Sequence, residues 1–170
     1  MRKHNGMRPQ DVVVLLKITT LAAQPWQGKD LAAALLISPA EISDALRRCQ
    51  YARLLQPDGR TVQRRVLLRF LLYGLPYVFP AHPGGLTQGT PTAHSVVPEL
   101  PPTDAHPYVW PDPNGATLGV AVEPLYPSLP QAAPHDAAWY ELLALTDVLR
   151  LGTQPQRQTA RQLLRQRLLG

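Results

Sequence analysis

The sequence is poor in cysteine and lacks long apolar runs, and both deficits exclude classes of protein. Cys49 is the only cysteine, so an internal disulfide and a cysteine-rich metal site are excluded. No segment reaches the roughly 18 consecutive apolar residues that a membrane span needs. Residues 1–6 lead into a helical pattern broken by Lys17 and not into a cleavable signal. We therefore expect no membrane association, a cytoplasmic location and a Cys49 thiol packed on the apolar face of a helix.

Lysine and arginine are absent from residues 74–135, whose net charge is −4. Residues 1–73 carry a net charge of +7 and residues 136–170 carry +2, so the basic character belongs mainly to the N-terminal region. Such asymmetry is typical of a polyanion-binding domain attached to another unit. We therefore divide the chain into an N-terminal domain over 1–75, a middle segment over 76–135 and a C-terminal helical segment over 136–170.

Proline and glycine predict extended, turn-rich backbone in the middle segment, which contains 14 of the 19 prolines. A weak repeat relates Tyr-Val-Phe-Pro at 77–80 to Tyr-Val-Trp-Pro at 108–111, and glycines follow both copies. The shared pattern predicts a strand, a turn and a second strand in each copy. In the second copy, residues 112–115 predict the turn and the alternation over 116–123 predicts the returning strand. We expect β-hairpins, or one small sheet, packed on the helices.

The strongest local signal is the helix start at Ser38-Pro39-Ala40-Glu41. Ser38 is a favoured N-cap, Pro39 fits the first helical position, and Glu41 completes a capping box. A helix is therefore predicted to begin at Pro39. Apolar periodicity predicts a mostly buried helix before it over 9–23 and a short second helix over 29–36.

The helix that begins at Pro39 has one apolar and one polar face. Ile42, Ala45, Leu46 and Cys49 recur at helical spacing and are predicted to be buried. The residues left for the exposed side are Glu41, Ser43, Asp44, Arg47, Arg48 and Tyr51. Two short helices joined by a tight turn, with a polar outer face on the second, are typical of a helix-turn-helix. A helix of this kind fits the major groove of duplex DNA.

Residues 53–61 occupy the place of a wing, because a short strand is followed by a tight Pro-Asp-Gly turn. From Val62 onward the apolar spacing is helical up to Gly74. We therefore expect a rudimentary wing and a fourth helix capped by Thr61. The arginines at this corner, Arg60, Arg64 and Arg65, are expected to meet phosphates.

In this order of elements, residues 9–60 resemble the winged-helix fold of bacterial MarR-like transcriptional regulators. The Ser-Pro-Ala-Glu-Ile-Ser start of the third helix and the Pro-Asp-Gly-Arg turn carry the resemblance, which covers less than half of the chain. The resemblance implies that duplex DNA faces Ser38, Ala40, Ser43, Asp44 and Arg47. The short wing departs from the family pattern and leaves minor-groove contact in doubt. Residues 74–98 also resemble small bacterial regulators of defence or antitoxin operons.

The C-terminal segment is predicted to be a helical pair, because Asp136 can cap a helix that Gly152 ends and a last helix follows over 156–169. The broad apolar surface of the first of these helices is expected to close on the middle segment or to form a two-fold dimer interface. For the arginines of the last helix, a solvated face is favoured over a second DNA contact; they are Arg157, Arg161, Arg165 and Arg167.

Together these patterns predict a mainly α protein with small β elements that acts as a homodimeric, non-enzymatic repressor of transcription. The candidate DNA-contacting residues are Lys29, Ser38, Ala40, Ser43, Asp44, Arg47, Arg48, Tyr51, Arg60, Arg64 and Arg65. No metal is expected, because the histidines are not spaced as metal ligands. No cofactor or catalytic site is expected either, because the sequence does not group an acid, a base and a nucleophile. The alternative is an antitoxin-like interaction subunit in which residues 74–170 bind a partner protein.

Overall fold

Eight α-helices and three short strands make up the described part of the chain, residues 4–101 and 106–170 of a computed structural model. The helices are α1 Pro9–Thr20, α2 Gly28–Leu35, α3 Pro39–Tyr51, α4 Arg64–Tyr73, α5 Leu75–Val78, α6 Leu129–Ala132, α7 Ala137–Leu151 and α8 Gln154–Leu169. The strands are β1 Leu86–Thr92, β2 Tyr108–Pro111 and β3 Thr117–Ala121. The predicted mixture of many helices with a small sheet is therefore confirmed. None of the helices in these ranges has the length and apolar content of a membrane span.

The first helix lies inside the molecule. Its apolar run from Val12 to Leu16 is fully buried all round, as expected of a helix that other helices surround. α3 packs on one side of α1, and α7 packs on another. α1 ends earlier than predicted, at Thr20, because the backbone turns and Ala22 adopts a left-handed conformation with φ of 53°.

The turn between α2 and α3 has the predicted N-cap but not the predicted capping box, because the Glu41 carboxylate accepts from the Ser38 hydroxyl and not from the Ser38 backbone nitrogen. α2 ends at Leu35, and the next residue, Leu36, adopts a left-handed conformation with φ of 53°. α3 then begins at Pro39, as predicted, and the Ser38 side chain accepts a hydrogen bond from the backbone nitrogen of Glu41. Ile42, Ala45 and Cys49 of α3 are buried, as the apolar spacing predicted.

A very short antiparallel hairpin follows α3. Its single bridge joins Leu55 to Val62, and the backbone nitrogen of Gln56 donates to the Thr61 oxygen at 2.8 Å. The prediction that Thr61 caps α4 is wrong, because the Thr61 hydroxyl donates to Asp58 Oδ2 at 2.6 Å inside the hairpin turn. α4 instead begins after Gln63.

The three strands of the middle segment close into a small barrel. β1 is antiparallel to both other strands: residues 86–89 pair with β3, and residues 89–92 pair with β2. β2 and β3 pair in parallel and complete the closure. The predicted hairpin of β2 with β3 is therefore wrong, because β1 lies antiparallel to both of them. The strand predicted at 77–80 is also wrong, because Pro76 fits the first turn of a helix and the chain forms α5.

Closure of the barrel depends on glycines at the strand crossings. A Cβ atom on Gly89 would lie 2.0 Å from the Trp110 oxygen. A Cβ atom on Gly115 would lie 2.4 Å from the backbone of Gly89, and one on Gly119 would lie 2.4 Å from the Pro107 oxygen. The backbones therefore approach more closely than any side chain allows.

One buried carboxylate joins the barrel to α7. Asp147 Oδ2 accepts hydrogen bonds from the Thr92 hydroxyl and from Trp110 Nε1, both at 2.7 Å. Asp147 Oδ1 accepts from Arg150 Nη1 at 2.8 Å. Both carboxylate oxygens therefore have partners, as a charge taken out of water requires.

α7 forms the centre of a single hydrophobic core that includes residues from all three predicted segments. Trp139 is fully buried, and its Nε1 donates to the Val13 oxygen of α1 at 3.3 Å. Lys17 Nζ lies 2.6 Å from Asp136 Oδ2 at the start of α7. The broad apolar surface of α7 therefore closes on α1 and on the middle segment, which was one of its two predicted roles.

The close approach of the strands at Gly89 leads to a prediction about the stability of the fold. Replacement of Gly89 by alanine forces two strands apart, so we expect a loss of about 3 kcal/mol in the free energy of unfolding, the upper range for overpacking. Urea unfolding followed by tryptophan fluorescence measures this loss. Gly85→Ala is the matched control, because a Cβ atom there meets nothing within 4 Å. Equal stability of the two variants would contradict the close crossing.

Candidate nucleic-acid interface

A buried ion pair anchors the inner face of α3. Arg48 Nε donates to Asp11 Oδ2 at 2.9 Å, and Arg48 Nη2 donates to Asp11 Oδ1 at 2.7 Å. The side chains are 2% and 0% exposed. The hydrogen bond with Asp11 raises the pKa of Arg48 above its already high ordinary value, so its guanidinium stays charged. The prediction that Arg48 lies on the exposed face is therefore wrong, and Arg48 cannot reach a phosphate.

The outer face of α3 is open to solvent along its length. Ala40, Ser43 and Asp44 are exposed, and Tyr51 is 69% exposed. Arg47 is half-buried: its Nη1 donates to Asn5 Oδ1 at 2.7 Å, and its Nε lies 3.6 Å from Asp44 Oδ1. These residues therefore share one surface, as predicted from their spacing.

The first turn of α3 uses its polar groups internally. The Ser38 hydroxyl accepts from the Glu41 backbone and donates to Glu41 Oε2 at 3.0 Å. The Tyr126 hydroxyl donates to the same carboxylate oxygen at 3.3 Å. Ser38 therefore acts as a helix cap, and its hydroxyl is already engaged within the chain. The two hydrogen bonds also engage the negative charge that Glu41 places next to the outer face.

The hairpin after α3 is held rigid by one aspartate. Asp58 accepts hydrogen bonds from the backbone nitrogens of Arg60 and Thr61 as well as from the Thr61 hydroxyl. These bonds, the one from the hydroxyl above all, lower the pKa of Asp58. Gln50 Nε2 donates to the Pro57 oxygen at 2.9 Å, so the hairpin turn is fixed against the C-terminal half of α3.

Cations surround α3 and the hairpin. Lys29, Arg53, Arg60 and Arg65 are exposed. The Arg60 guanidinium lies over the Trp26 ring, 5.1 Å from its centroid, and donates to the Trp26 oxygen at 2.6 Å. Within the described residues, the side chains of Lys29, Arg53 and Arg65 form no hydrogen bond or ion pair, so their charges remain available.

Arg64 has a structural position that the sequence did not predict. It is half-buried, and Nη2 donates to the Thr19 oxygen at 2.7 Å while Nη1 donates to the Leu168 oxygen at 3.3 Å. These carbonyls belong to the last turns of α1 and α8, where a cation is favoured. Arg64 therefore joins two helix ends and is less suited to a phosphate contact than Arg60 or Arg65.

Gln50 belongs to the outer face of α3 and was not among the predicted site residues. It is exposed and lies at the side of α3 that meets the hairpin. The signal was present in the sequence, because Ser43, Arg47 and Gln50 follow one another at intervals of four and three residues.

The histidines and acidic residues do not assemble a metal site in residues 4–101 and 106–170. No group of three His, Cys, Asp or Glu side chains in these ranges could hold a metal ion. His94 is buried and packs edge-on against the Tyr108 ring with 4.8 Å between centroids.

Comparison of the chain with protein-family models, with curated proteins and with solved structures gave no match.

The buried Asp11–Arg48 pair leads to a prediction about the loss of one partner compared with the loss of both. Asp11→Ala leaves a buried guanidinium uncompensated, and we expect a loss of about 3–5 kcal/mol in the free energy of unfolding. The double variant Asp11→Leu with Arg48→Met removes both charges, and we expect it to recover most of that loss. Chemical unfolding of Asp11→Leu, of Arg48→Met and of the double variant completes the cycle and measures the coupling. Additive losses would show that the two side chains do not act as a pair.

The cysteine next to this pair makes a second prediction. Burial raises the pKa of the Cys49 thiol well above its usual range, and Asp11 raises it further. Because the thiolate is the reactive form, we expect an aromatic disulfide reagent to leave Cys49 unmodified in the folded protein and to modify it fully in denaturant. Rapid modification of the folded protein would contradict the buried position. Introducing a cysteine at the exposed position Ser43 supplies the positive control.

Proposed function

We propose that residues 9–63 form a winged helix-turn-helix that binds duplex DNA through α3, and that the protein is a small transcriptional regulator of the MarR-like type. The observation that carries the proposal is the arrangement of α3. Its inner face is anchored by the buried Asp11–Arg48 pair, while its outer polar face is exposed. A helix held in this way can enter the major groove as a rigid unit.

The outer face of α3 carries side chains suited to base edges. Arg47 can donate two hydrogen bonds to guanine, and Gln50 can bond to adenine in the same bidentate manner. The contacts of Arg47 with Asn5 and of Gln50 with the Pro57 oxygen would be exchanged for the base contacts. Asp44, next to Arg47, can accept a hydrogen bond from the amino group of cytosine. In this proposal the two acidic residues of α3 do not exclude DNA, because Glu41 is already hydrogen-bonded to Ser38 and Tyr126.

The surrounding cations are assigned to the phosphate backbone. Lys29 lies in the first turn of α2, Arg53 follows α3, and Arg60 lies on the hairpin. Arg65, at the start of α4, completes the set. The hairpin contains a single bridge, so it is assigned to the backbone and not to deep contact with the minor groove. Contacts of this kind fix the position of the protein on DNA and make binding salt-dependent.

We further propose that two copies bind a palindromic site as a repressor, since two-fold operators match two-fold proteins. The apolar surface of α7 is not assigned to the dimer interface, because it is buried within the chain. The same burial weakens the alternative in which residues 74–170 wrap around a partner protein. Leu86 and Leu118 are the large apolar side chains that the barrel leaves exposed.

The proposal is tested by adding a negative charge to the exposed face of α3. Duplexes enriched from a randomised library by the full chain serve as probes, and fluorescence anisotropy measures their affinity. We expect Ser43→Glu to weaken duplex binding at least tenfold, because the carboxylate faces the phosphates and bases of the groove. Gln88→Glu on β1 adds the same charge to an exposed site of the barrel and should leave the affinity close to that of the unmodified chain.

Salt dependence supplies a second readout of the same proposal. Each phosphate contact contributes about 0.9 to the slope of log affinity against log salt. We expect Arg53→Gln and Arg65→Gln each to reduce the slope by about this amount. Unchanged duplex affinity in Ser43→Glu, with unchanged slopes in both arginine variants, would remove α3 and its surroundings from the interface.

A further inference from the structure

The helices α4 and α8 form a surface on which positive charge is unopposed. They pack against each other, and their sequences contain seven arginines and no aspartate or glutamate. The short helix α5 that follows α4 also contains no acidic residue. Two of these arginines are used elsewhere in the fold: Arg64 joins two helix ends, and Arg167 forms an ion pair with Glu141 at 2.9 Å.

The exposed side chains of α4 and α8 align as two antiparallel stripes. Arg64 Nη1 donates to the Leu168 oxygen, which places the start of α4 beside the end of α8. The Arg161 guanidinium lies over the Tyr73 ring at 6.0 Å from its centroid, near the other end of α4. Tyr77 and Arg157 line one cavity of about 210 Å³ beyond that point.

This register produces three successive levels, each with one residue from either stripe. Arg161 lies over Tyr73, and Arg157 lines the same cavity as Tyr77. Because Arg64 bonds to Leu168 at the opposite end of the pair, the antiparallel register sets Arg165 level with Arg69. We call this surface the α4–α8 ladder, and its members are Arg69, Tyr73, Tyr77, Arg157, Arg161 and Arg165. Successive arginines of α8 stand four residues apart, which is about 6 Å along the helix.

The ladder exposes both charge and aromatic area. Tyr73 is 65% exposed and Tyr77 is 84% exposed. Arg69 and Arg165 have no hydrogen bond or ion pair to any described residue, although the register makes them neighbours of like charge. Arg157 donates through Nη2 to Gln154, and its shielded Nε has no partner. Like charges held together without a counter-charge favour an anion at the surface.

We propose that the α4–α8 ladder binds single-stranded nucleic acid. Arginines that follow one line can contact successive phosphates, and exposed tyrosine rings offer platforms on which unpaired bases stack. The exposed rings favour a single strand over a duplex. The bases of a duplex are not available to tyrosine rings.

The ladder residues lie on α4, α5 and α8 and not on α3, so the inference does not depend on the proposed base contacts. Arg69 stands one helical turn from Arg65, a proposed phosphate contact. The proposed single-strand site also replaces the expectation that the arginines of the last helix are merely solvated. Tyr73 and Tyr77 distinguish a binding surface from a solvated face, because solvation of the arginines gives no reason for two exposed rings in line with them.

The test uses the full chain and a fluorescein-labelled oligothymidylate of about 16 nucleotides, which is long enough for one site and does not pair with itself. Fluorescence anisotropy at low salt is expected to show binding. Tyr73→Leu with Tyr77→Leu should weaken it at least about 25-fold, since each of the two stacked bases contributes at least about fivefold. Tyr51→Leu is the matched control, because Tyr51 is equally exposed but lies on α3.

Charge is tested separately with Arg161→Gln and Arg165→Gln in one chain. We expect this variant to weaken oligothymidylate binding and to flatten its salt dependence by about 0.7 for each lost contact. Lys29→Gln with Arg53→Gln removes the same charge elsewhere and should change single-strand binding little. The affinity of each variant for the duplexes enriched from the randomised library is measured as well. It distinguishes loss of single-strand binding at the ladder from loss of the proposed duplex binding through α3.

Three results would overturn the proposal. One is the absence of oligothymidylate binding by the unmodified chain at low salt. Another is equal loss in the ladder and control variants, which would show non-specific attraction alone. The last is an arginine variant, Arg161→Gln with Arg165→Gln, that weakens duplex binding and single-strand binding equally, while the tyrosine variant weakens neither. That result would assign the surface to phosphates of duplex DNA. A thermal unfolding transition like that of the unmodified chain establishes that the fold of each variant is intact.

Discussion

The buried pair of Asp11 and Arg48 is the interaction on which the N-terminal architecture depends. Asp11 caps the start of α1 by accepting a hydrogen bond from the Arg8 nitrogen, and the same carboxylate receives both arms of the Arg48 guanidinium. One side chain therefore fixes where α1 begins and how α3 is rotated upon it. Because side chains at intervals of three and four residues share a helix face, anchoring Arg48 inward leaves Ser43 and Arg47 outward. The orientation of the candidate recognition face thus follows from a contact made at its back.

A buried ion pair is costly to form, so its presence here calls for a physical reason. Desolvation of two charges offsets much of their attraction, and apolar side chains in the same space often give equal stability. An ion pair with two defined hydrogen bonds has a direction, however, whereas apolar packing tolerates several rotations of a helix. We infer that Asp11 and Arg48 specify the angle of α3 more than they stabilise the fold. Asp147 has the corresponding role in the other half, where it holds Thr92 and Trp110 of the barrel on α7.

Sequence patterns predicted the parts of this structure that local chemistry decides. Ser38, Pro39 and Glu41 located the start of α3, Asp136 located the start of α7, and the Pro-Asp-Gly turn located the hairpin. In each case a side chain bonds to backbone a few residues away. Tertiary contacts decided the rest. Nothing local distinguishes Arg48 from Arg47, because the difference lies in Asp11, 37 residues earlier in the chain.

The same limit explains the error in the middle segment. The turn signal at 112–115 is real: the Gly115 nitrogen donates to the Asp112 oxygen at 2.9 Å. A turn nevertheless does not determine which strands pair after it. β1 runs antiparallel to both strands because Gly89 lets it bend across them, and that role of a glycine depends on what lies opposite it. Pattern alone cannot separate such a crossing glycine from a turn glycine.

The distribution of arginine connects these observations to function. Arg48, Arg64 and Arg150 are directed at carboxylates or backbone carbonyls and hold elements together, so their charges do not contribute to an outer surface. Most of the exposed arginines among the described residues belong to two groups, one around α3 and one along the α4–α8 ladder. At physiological salt the field of an exposed charge falls off within about 8 Å. The two groups meet on α4, where Arg65 and Arg69 stand one helical turn apart. A charge change away from that turn therefore acts mainly on the ligand of its own group, and the two surfaces can have different ligands within one small chain.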